Sequence, residues 1–418
     1  MSGTGWGVEM VGWKRKLPVI VLGVLLLVGS LGPVEKVFAE PQAEPLDIQT
    51  RSYVLMEMET GRVLAGKKEK HPYPPASLTK IMTEYLVLKE VKSGRLRWKD
   101  EVKISKNAAS IGEAQVNLVA GEKRTVEELF HAMAIHSAND ASVALAEYIS
   151  GSEGAFVGKM NKEAQRLGLK ETHFINCTGL PRRSYPHPPQ VKGEHRMSAE
   201  DIARLARHLI QDHPRVIQTL SLPEYIFRQG ENRELILPNS NQMLPGYSHF
   251  YKGVDGVKTG YTREAGYSFT GTAQRDGMRL ITVVMGTDSK SRRFAETEKL
   301  LDFGFQNYQM KTLLKKGTSV PKQSKVPLRG GVEDEVPVVA GASCRIPVRK
   351  GDQAAYTFRV KAKSGLEAPI RSGDEVGTAQ VQLKGKDVPW IPPVPLKAAQ
   401  DVEASWWTLF YRYVTEWF

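Results

Sequence analysis

The stretch Pro74-Pro75-Ala76-Ser77-Leu78-Thr79-Lys80-Ile81-Met82-Thr83-Glu84-Tyr85 passes from a proline-broken loop into a helical pattern. Leu78, Ile81, Met82 and Tyr85 fall at i, i+3, i+4 and i+7, so a helix starts near Ser77 and buries that face. Upstream, residues 51–65 form an apolar stretch broken by Glu59-Thr60-Gly61-Arg62, the pattern of a hairpin. Downstream, apolar residues three and four apart predict helices over 126–135, 141–149, 156–167 and 199–210. Past Lys252 the period shortens. Residues 267–272 and 280–286 read as strands joined through Arg275-Asp276-Gly277, and 293–303 as a closing helix. A hairpin, then helices, then strands predicts an α/β layer fold whose N- and C-terminal strands share one sheet.

Beyond Lys315 the residues alternate. Tyr356, Phe358, Val360 and Ala362 interleave with Thr357, Arg359, Lys361 and Lys363, and Ala379, Val381 and Leu383 share a face. With Gly330-Gly331 and Gly351-Asp352 as punctuation, this predicts a small all-β sandwich domain. Pro392-Pro393-Val394-Pro395 reads as a stiff linker. After it, Trp406, Trp407, Phe410, Val414, Trp417 and Phe418 form one face of a helix, opposite Asp401, Ser405, Thr408, Arg412 and Thr415. An aromatic face at a chain end suits a bilayer interface; the alternative is a helix packed on its own domain.

At the other end, Lys14-Arg15-Lys16, an apolar run over 17–31 and Val37-Phe38-Ala39 have the layout of a signal peptide cleaved after Ala39. The run contains Pro18 and Gly23 and is shorter than the roughly 18 residues that cross a bilayer. The expected organisation is a signal peptide (1–39), an α/β catalytic domain (40–308), a β-sandwich domain (309–396) and an amphipathic membrane-anchor helix (397–418). A net charge of +12 favours anionic surroundings: nucleic acid, acidic wall polymers or lipid headgroups. Export removes nucleic acid, and the charge then reads as compatibility with an anionic envelope. Cys177 and Cys344 fall in different expected domains and read as small buried apolar residues.

Three short motifs occur in order: Ser77-Leu78-Thr79-Lys80, Ser137-Ala138-Asn139 and Lys258-Thr259-Gly260. They match the S-x-x-K, S-x-N and K-T-G set of penicillin-recognising serine enzymes. Each alone is weak, since Ser319-Val320-Pro321-Lys322 and Ser105-Lys106-Asn107 repeat two of them. Context separates them: the Ser319 copy is interrupted by Pro321, whereas Ser77 enters an apolar-faced helix, beside free backbone N–H groups. Lys80 shares its face; to accept the serine proton it needs burial or a positive neighbour to lower its pKa from about 10.4. The bland alternative for Ser77 is an ordinary N-cap. Ser137 and Asn139 occupy a polar break between helices, where side chains can face a cleft. Lys258-Thr259-Gly260 follows Val254-Asp255-Gly256-Val257, readable as an edge strand open to an extended peptide, with Gly260 permitting close approach of substrate.

The text around these motifs is similar to the serine D-Ala-D-Ala carboxypeptidase family, the low-molecular-weight penicillin-binding proteins. The resemblance is carried by Pro75-Ala76-Ser77-Leu78-Thr79-Lys80-Ile81-Met82-Thr83, His136-Ser137-Ala138-Asn139-Asp140-Ala141 and Gly256-Val257-Lys258-Thr259-Gly260-Tyr261-Thr262. Asn176-Cys177-Thr178-Gly179-Leu180-Pro181 and Asn239-Ser240-Asn241 also resemble family segments. The similarity runs over 47–303 in sequence and over the rest by layout. It implies a β-lactamase/transpeptidase-like catalytic domain and acyl transfer on peptidoglycan stem pentapeptides ending in D-Ala-D-Ala. Ser77 would attack, Lys80 take its proton and Ser137 relay a proton to the leaving D-alanine. The backbone N–H groups of Ser77 and Tyr261 would form the oxyanion hole. Asn139, Lys258, Thr259, Gly260 and Tyr261 would bind substrate, and Arg293 matches a position that looks like a carboxylate binder. The alternative is that Arg293 opens a surface helix and pairs with an acid.

The resemblance further implies covalent inhibition by β-lactam antibiotics, no metal or organic cofactor, and a place on the outer face of the cytoplasmic membrane, held by the C-terminal helix. Two other readings stay open: a D,D-endopeptidase cutting crosslinks, with the same chemistry, and a catalytically idle wall-binding protein. A β-lactamase is disfavoured, because no Glu-x-x-x-Asn stretch lies between Asn139 and Lys258. The chain departs from the family over Pro181 to Arg196, a basic stretch with four prolines that is longer than expected and placed to shape substrate access. Its His187 and His195 read as solvated loop histidines.

Overall fold

A computed structural model describes residues 46–415 together with Met1 and Gly3. Apart from those two, the expected signal peptide falls outside the described residues, as do Trp417 and Phe418. The hairpin at the start of the chain is strands β1 (Ser52–Glu57) and β2 (Val63–Lys67). It joins β3 (Val254–Thr262), β4 (Gly266–Arg275) and β5 (Met278–Thr287) in one antiparallel sheet of order β2-β1-β5-β4-β3. Segments far apart in sequence thus meet through the β1–β5 pairing, in which Val54 faces Val283. The β4–β5 loop is two residues, Asp276 at φ 49° and Gly277 at φ 74°; paired positive φ values match the right-handed twist of the strands.

All six residues of β1 are buried, which a strand achieves only when both sheet faces are covered. Alternation sorts its side chains. Val54 and Met56 join the core beneath the helical region, Tyr53 and Leu55 the core on the opposite face, with Phe294, Leu300 and Leu301 of the helix Arg292–Asn307.

The helical region holds α1 (Lys80–Lys92), α2 (Val126–His136), α3 (Asn139–Ser150), Glu153–Arg166 and Ala199–Asp212. Local chemistry sets its boundaries: Thr125 and Glu128 close a capping box ahead of α2, and Ser198 caps Ala199–Asp212. In one respect α1 departs from the expected amphipathic helix. Its residues from Lys80 to Leu88 are all buried, Lys80, Thr83 and Glu84 included, because the other helices and the sheet cover every side of it.

The helix Arg292–Asn307 runs straight into the strand Tyr308–Leu314, with no linker. That strand pairs with Cys344–Arg349, and the two share one core with a six-stranded sheet built around Glu335–Ala340, Val394–Ala398, Glu375–Leu383 and Tyr356–Ala362. This is the expected β domain in two layers. It grips the sheet turns remote from Gly260: Arg345 reaches Glu59 and the Gly277 carbonyl, and Arg62 donates to Pro347 O at 2.9 Å. Cys177 and Cys344 are both free and buried.

The expected proline linker at 392–395 is corrected: Val394 and Pro395 open a strand paired on both sides, and Val402 and Ala404 are buried in the same core. Helix begins only at Trp406 and ends, among the described residues, at Thr415. Its polar face meets the protein. Ser405 Oγ accepts from Thr408 N–H, and Arg412 donates to the Ala368 carbonyl at 2.9 Å. Trp406, Trp407, Leu409, Phe410 and Tyr411 are left outside, Trp407 71% exposed.

Candidate active site

Ser77 lies in a 3₁₀ turn, Ala76–Thr79, that precedes α1, and its hydroxyl makes no cap bond. The N-cap alternative therefore falls. Lys80 Nζ is wholly buried and lies 3.1 Å from Ser77 Oγ, 2.7 Å from Asn139 Oδ1 and 2.9 Å from the Thr178 carbonyl oxygen. Burial, then the positive charge of Lys258, lower the Lys80 pKa to about 7. The two conditions stated for a neutral lysine, burial and a cationic neighbour, are both met.

Ser137 and Asn139 sit at the junction of α2 and α3. Ser137 closes α2 in the left-handed region, φ 70°, where a non-glycine residue costs about 1–3 kcal/mol and such strain gathers at functional sites. Its Oγ is buried and makes no hydrogen bond among the described residues. Asn139 is engaged at both ends of its amide, Oδ1 on Lys80 and Nδ2 on the Gly112 carbonyl at 2.8 Å.

Lys258, Thr259, Gly260 and Tyr261 lie on β3, the edge of the sheet, as expected. Gly260 also has a role within the fold. A Cβ there would meet Pro75 O at 3.1 Å and Leu78 N at 3.3 Å, so the glycine lets the Ser77 turn rest on the strand. Thr259 Oγ1 donates to Ser240 Oγ at 2.8 Å, which explains the 239–241 segment as a support for the strand. Tyr261 is half exposed and stacks on Tyr267 at 4.2 Å.

Lys258 is buried with no hydrogen-bond partner for Nζ among the described residues, and burial lowers its pKa. Arg293 is buried too, donates to the Gly260 carbonyl at 3.4 Å, and forms no ion pair among the described residues. The surface-helix alternative for Arg293 is thereby excluded. Burial lowers even its pKa, to about 10.

Three groups at the site were missed. Glu84, one turn after Lys80, is fully buried with neither carboxylate oxygen hydrogen-bonded among the described residues, and burial raises its pKa against the pull of Lys258 and Lys80. The clue was the one charged residue in the run from Ile81 to Leu88. Thr178 supplies a carbonyl to Lys80, and its turn packs so tightly on the Ser77 turn that a Cβ on Gly179 (φ 87°) would fall 1.8 Å from Ala76 O. His195 is the third, and its reading as a solvated histidine is corrected: Nε2 lies 2.7 Å from Thr79 Oγ1, inside the S-x-x-K motif. Desolvation of the ring pushes its pKa down to about 3. His187, by contrast, is exposed.

The motif duplicates are accounted for. Ser105 caps a four-residue helix, and Ser105 Oγ and Asn107 Nδ2 both bond Glu147. Ser319 lies in the β domain, bridged to Val339.

Comparison with known proteins agrees with this geometry. The sequence model described as D-alanyl-D-alanine carboxypeptidase matches residues 38–289, and that of the penicillin-binding protein 5 C-terminal domain matches 308–404. The chain is 36% identical to the D-alanyl-D-alanine carboxypeptidase DacF of Bacillus subtilis, over 97% of this chain and 99% of that one. It superposes on the structure of a peptidoglycan synthesis regulatory factor (PBP3) from Streptococcus pneumoniae with a TM-score of 0.77 at 30% identity, covering 86% of this chain and 100% of that one. The ampicillin-bound penicillin-binding protein D2 of Listeria monocytogenes matches with a TM-score of 0.54 at 30% identity, over 63% of this chain and 100% of that one. Both halves of the fold and the motif-bearing cleft point the same way: the chain belongs to the serine D-alanyl-D-alanine carboxypeptidases, the low-molecular-weight penicillin-binding proteins.

Proposed function

We propose that this protein removes the terminal D-alanine from peptidoglycan stem pentapeptides through an acyl-enzyme on Ser77, with Lys80 as the base that activates it. The observation that carries this reading is the setting of the Lys80 amine. A neutral lysine has two N–H bonds and one lone pair. With Asn139 Oδ1 and Thr178 O as acceptors for the two hydrogens, the lone pair is left for the Ser77 hydroxyl 3.1 Å away. The proton passes to Lys80 as Oγ bonds the carbonyl carbon of the penultimate D-alanine. The N–H groups of Ser77 and Tyr261 stabilise the oxyanion. Ser137, whose buried Oγ makes no hydrogen bond among the described residues, relays the proton held by Lys80 to the departing D-alanine amine, and water then releases the shortened peptide. Asn139 holds Lys80 through Oδ1, beside the substrate contact expected for it.

Exopeptidase action needs recognition of a free carboxylate. Arg293 and Lys258 are buried cations; Lys258 has Glu84 as an acidic neighbour but no hydrogen bond to it, and Arg293 has no acid partner among the described residues. A substrate carboxylate completes that set, with Thr259 and Gly260 lining the strand edge. Arg293→Ala is expected to lower turnover of a free-ended D-Ala-D-Ala peptide tenfold or more, about 1.4 kcal/mol. A C-terminally amidated analogue should start slow and lose little. Measured D-alanine release on both substrates decides it: equal losses sink the carboxylate role. Separated stem peptides as the main product from crosslinked dimers would favour the endopeptidase reading instead.

The terminal helix supports attachment to a membrane surface. Its polar side is used up on the β domain while its indoles and phenyl rings face outward, an arrangement that suits headgroup depth. Together with the signal-peptide layout over 1–39, this supports a position outside the cytoplasmic membrane, peripherally held. Removing residues 405–418 should release mature protein from membranes while leaving hydrolysis of a soluble peptide unchanged. A truncated protein that still sediments with membranes would refute the anchor.

A further inference from the structure

The basic segment from Pro181 to Arg196 carries two side chains that reach back under the catalytic turn. Tyr185 is buried, its Oη 2.6 Å from Thr178 Oγ1 and 3.0 Å from Glu153 Oε1. Glu153, itself buried, also accepts from the Cys177 N–H at 3.0 Å. With Glu153 ionised, Tyr185 donates to the carboxylate and the Thr178 hydroxyl donates to Tyr185. Thr178 Oγ1 in turn accepts the Leu180 N–H at 3.1 Å. Of these polar groups only Glu153 Oε2 lacks a hydrogen-bond partner among the described residues. At the far end of the segment, the Ile175 N–H donates to His195 Nδ1 at 3.3 Å, which leaves the ring proton on Nε2 to donate to Thr79 Oγ1. The ring packs edge-on against Phe174.

These two ties bracket one turn. Residues 176–180, organised by Asn176 through bonds to Gly179 N–H at 2.7 Å and the Leu180 carbonyl at 2.8 Å, present the Thr178 carbonyl to Lys80 Nζ. Tyr185 grips this turn by the side chain of the residue whose carbonyl holds the lysine. His195 grips the adjoining Ser77 turn by the residue before the lysine. We infer that Tyr185 and His195 are positioning residues for Lys80, so that the inserted segment is a structural part of the proton-transfer site and not only a wall of the cleft. The inference rests on the reading of Lys80 as base given above.

Next to Tyr185 the segment is held more weakly. Ser184 Oγ reaches Glu113 at 3.1 Å and Arg183 pairs with Glu264, both at the surface, where such contacts contribute little. This contrast supplies the control. The mechanism also supplies a signature that fold damage lacks. A fixed carbonyl acceptor favours the ammonium form of a lysine over the amine; loosening it lowers the Lys80 pKa while misaligning the lone pair. The acylation plateau should fall as the acid limb moves to lower pH.

The test is the rate constant for acylation by a fluorescent penicillin between pH 5.5 and 9, normalised to the number of sites labelled at completion. Tyr185→Phe keeps the ring and removes only the hydroxyl; it should lower the limiting rate constant about fivefold or more, leave non-covalent affinity within about twofold, and shift the acid limb to lower pH. His195→Ala should lower the same constant. Arg183→Ala and Ser184→Ala should behave as wild type. The inference is overturned if Tyr185→Phe and His195→Ala acylate within twofold of wild type, or if their only deficit is a smaller labelled fraction at an unchanged rate per site. A Lys80→Met enzyme tested alongside separates the two failures: wild-type acylation there would overturn the base assignment itself.

Discussion

Ser77→Ala is expected to abolish covalent labelling by penicillin and D-alanine release together, while Ser319→Ala leaves both at the wild-type level. The sequences around the two serines share the same S-x-x-K spacing, so the contrast isolates what the fold adds. Ser77 stands in a 3₁₀ turn pressed against the edge strand through Gly260 and against the 176–180 turn through Gly179, with Lys80 at 3.1 Å. Ser319 bridges Val339 in the β domain, and Lys322 after it is exposed. Alanine at 77 removes the only atom that can carry the acyl group; no neighbouring nucleophile replaces it, since Cys177 is buried with its thiol pKa raised by desolvation. Gel fluorescence after incubation with a labelled penicillin reads the outcome. A labelled Ser77→Ala protein would remove Ser77 as the nucleophile.

Lys80→Met should be nearly as severe, lowering the acylation rate constant about 10³-fold, within the range that a positioned general base contributes. Methionine preserves the length of the side chain and removes the basic nitrogen. It also strands Asn139 Oδ1 and Thr178 O, so circular dichroism should accompany the kinetics to show an intact fold. The wild-type pH profile carries the complementary evidence. Lys80 acts only as the amine, and burial with the Lys258 charge brings its pKa down to about 7, so the acylation rate should rise with pH through about 7 and then level. An ordinary lysine near 10.4 would instead keep climbing beyond pH 9. A profile flat from pH 5.5 to 8, or a Lys80→Met enzyme within tenfold of wild type, would exclude the assignment.

What the chain shows locally was legible in its sequence. Strands with period two and helices with apolar residues three and four apart follow from backbone geometry, and they located the hairpin, the helices and the β4–β5 pair within a few residues. The three motifs were legible because each is a short contiguous run of residues. The tertiary structure alone decided how distant runs meet. Lys80 gathers Asn139 and Thr178, 59 and 98 residues away in sequence, and no periodicity announces a backbone carbonyl as a partner. Glu84 reads as a solvent-facing break in an apolar helix, but other elements enclose that helix on all sides and bury the acid beside two lysines. His195 sits in a polar, proline-rich stretch that has the composition of a surface loop, yet the segment folds back and brings the ring onto Thr79. Prolines 392, 393 and 395 suggested a linker, whereas Val394–Ala398 is a paired strand, its position set by partners about 15 to 60 residues upstream. Composition and spacing report the energetics of a segment against water; which groups share a buried site depends on long-range pairing, and only the folded chain determines that.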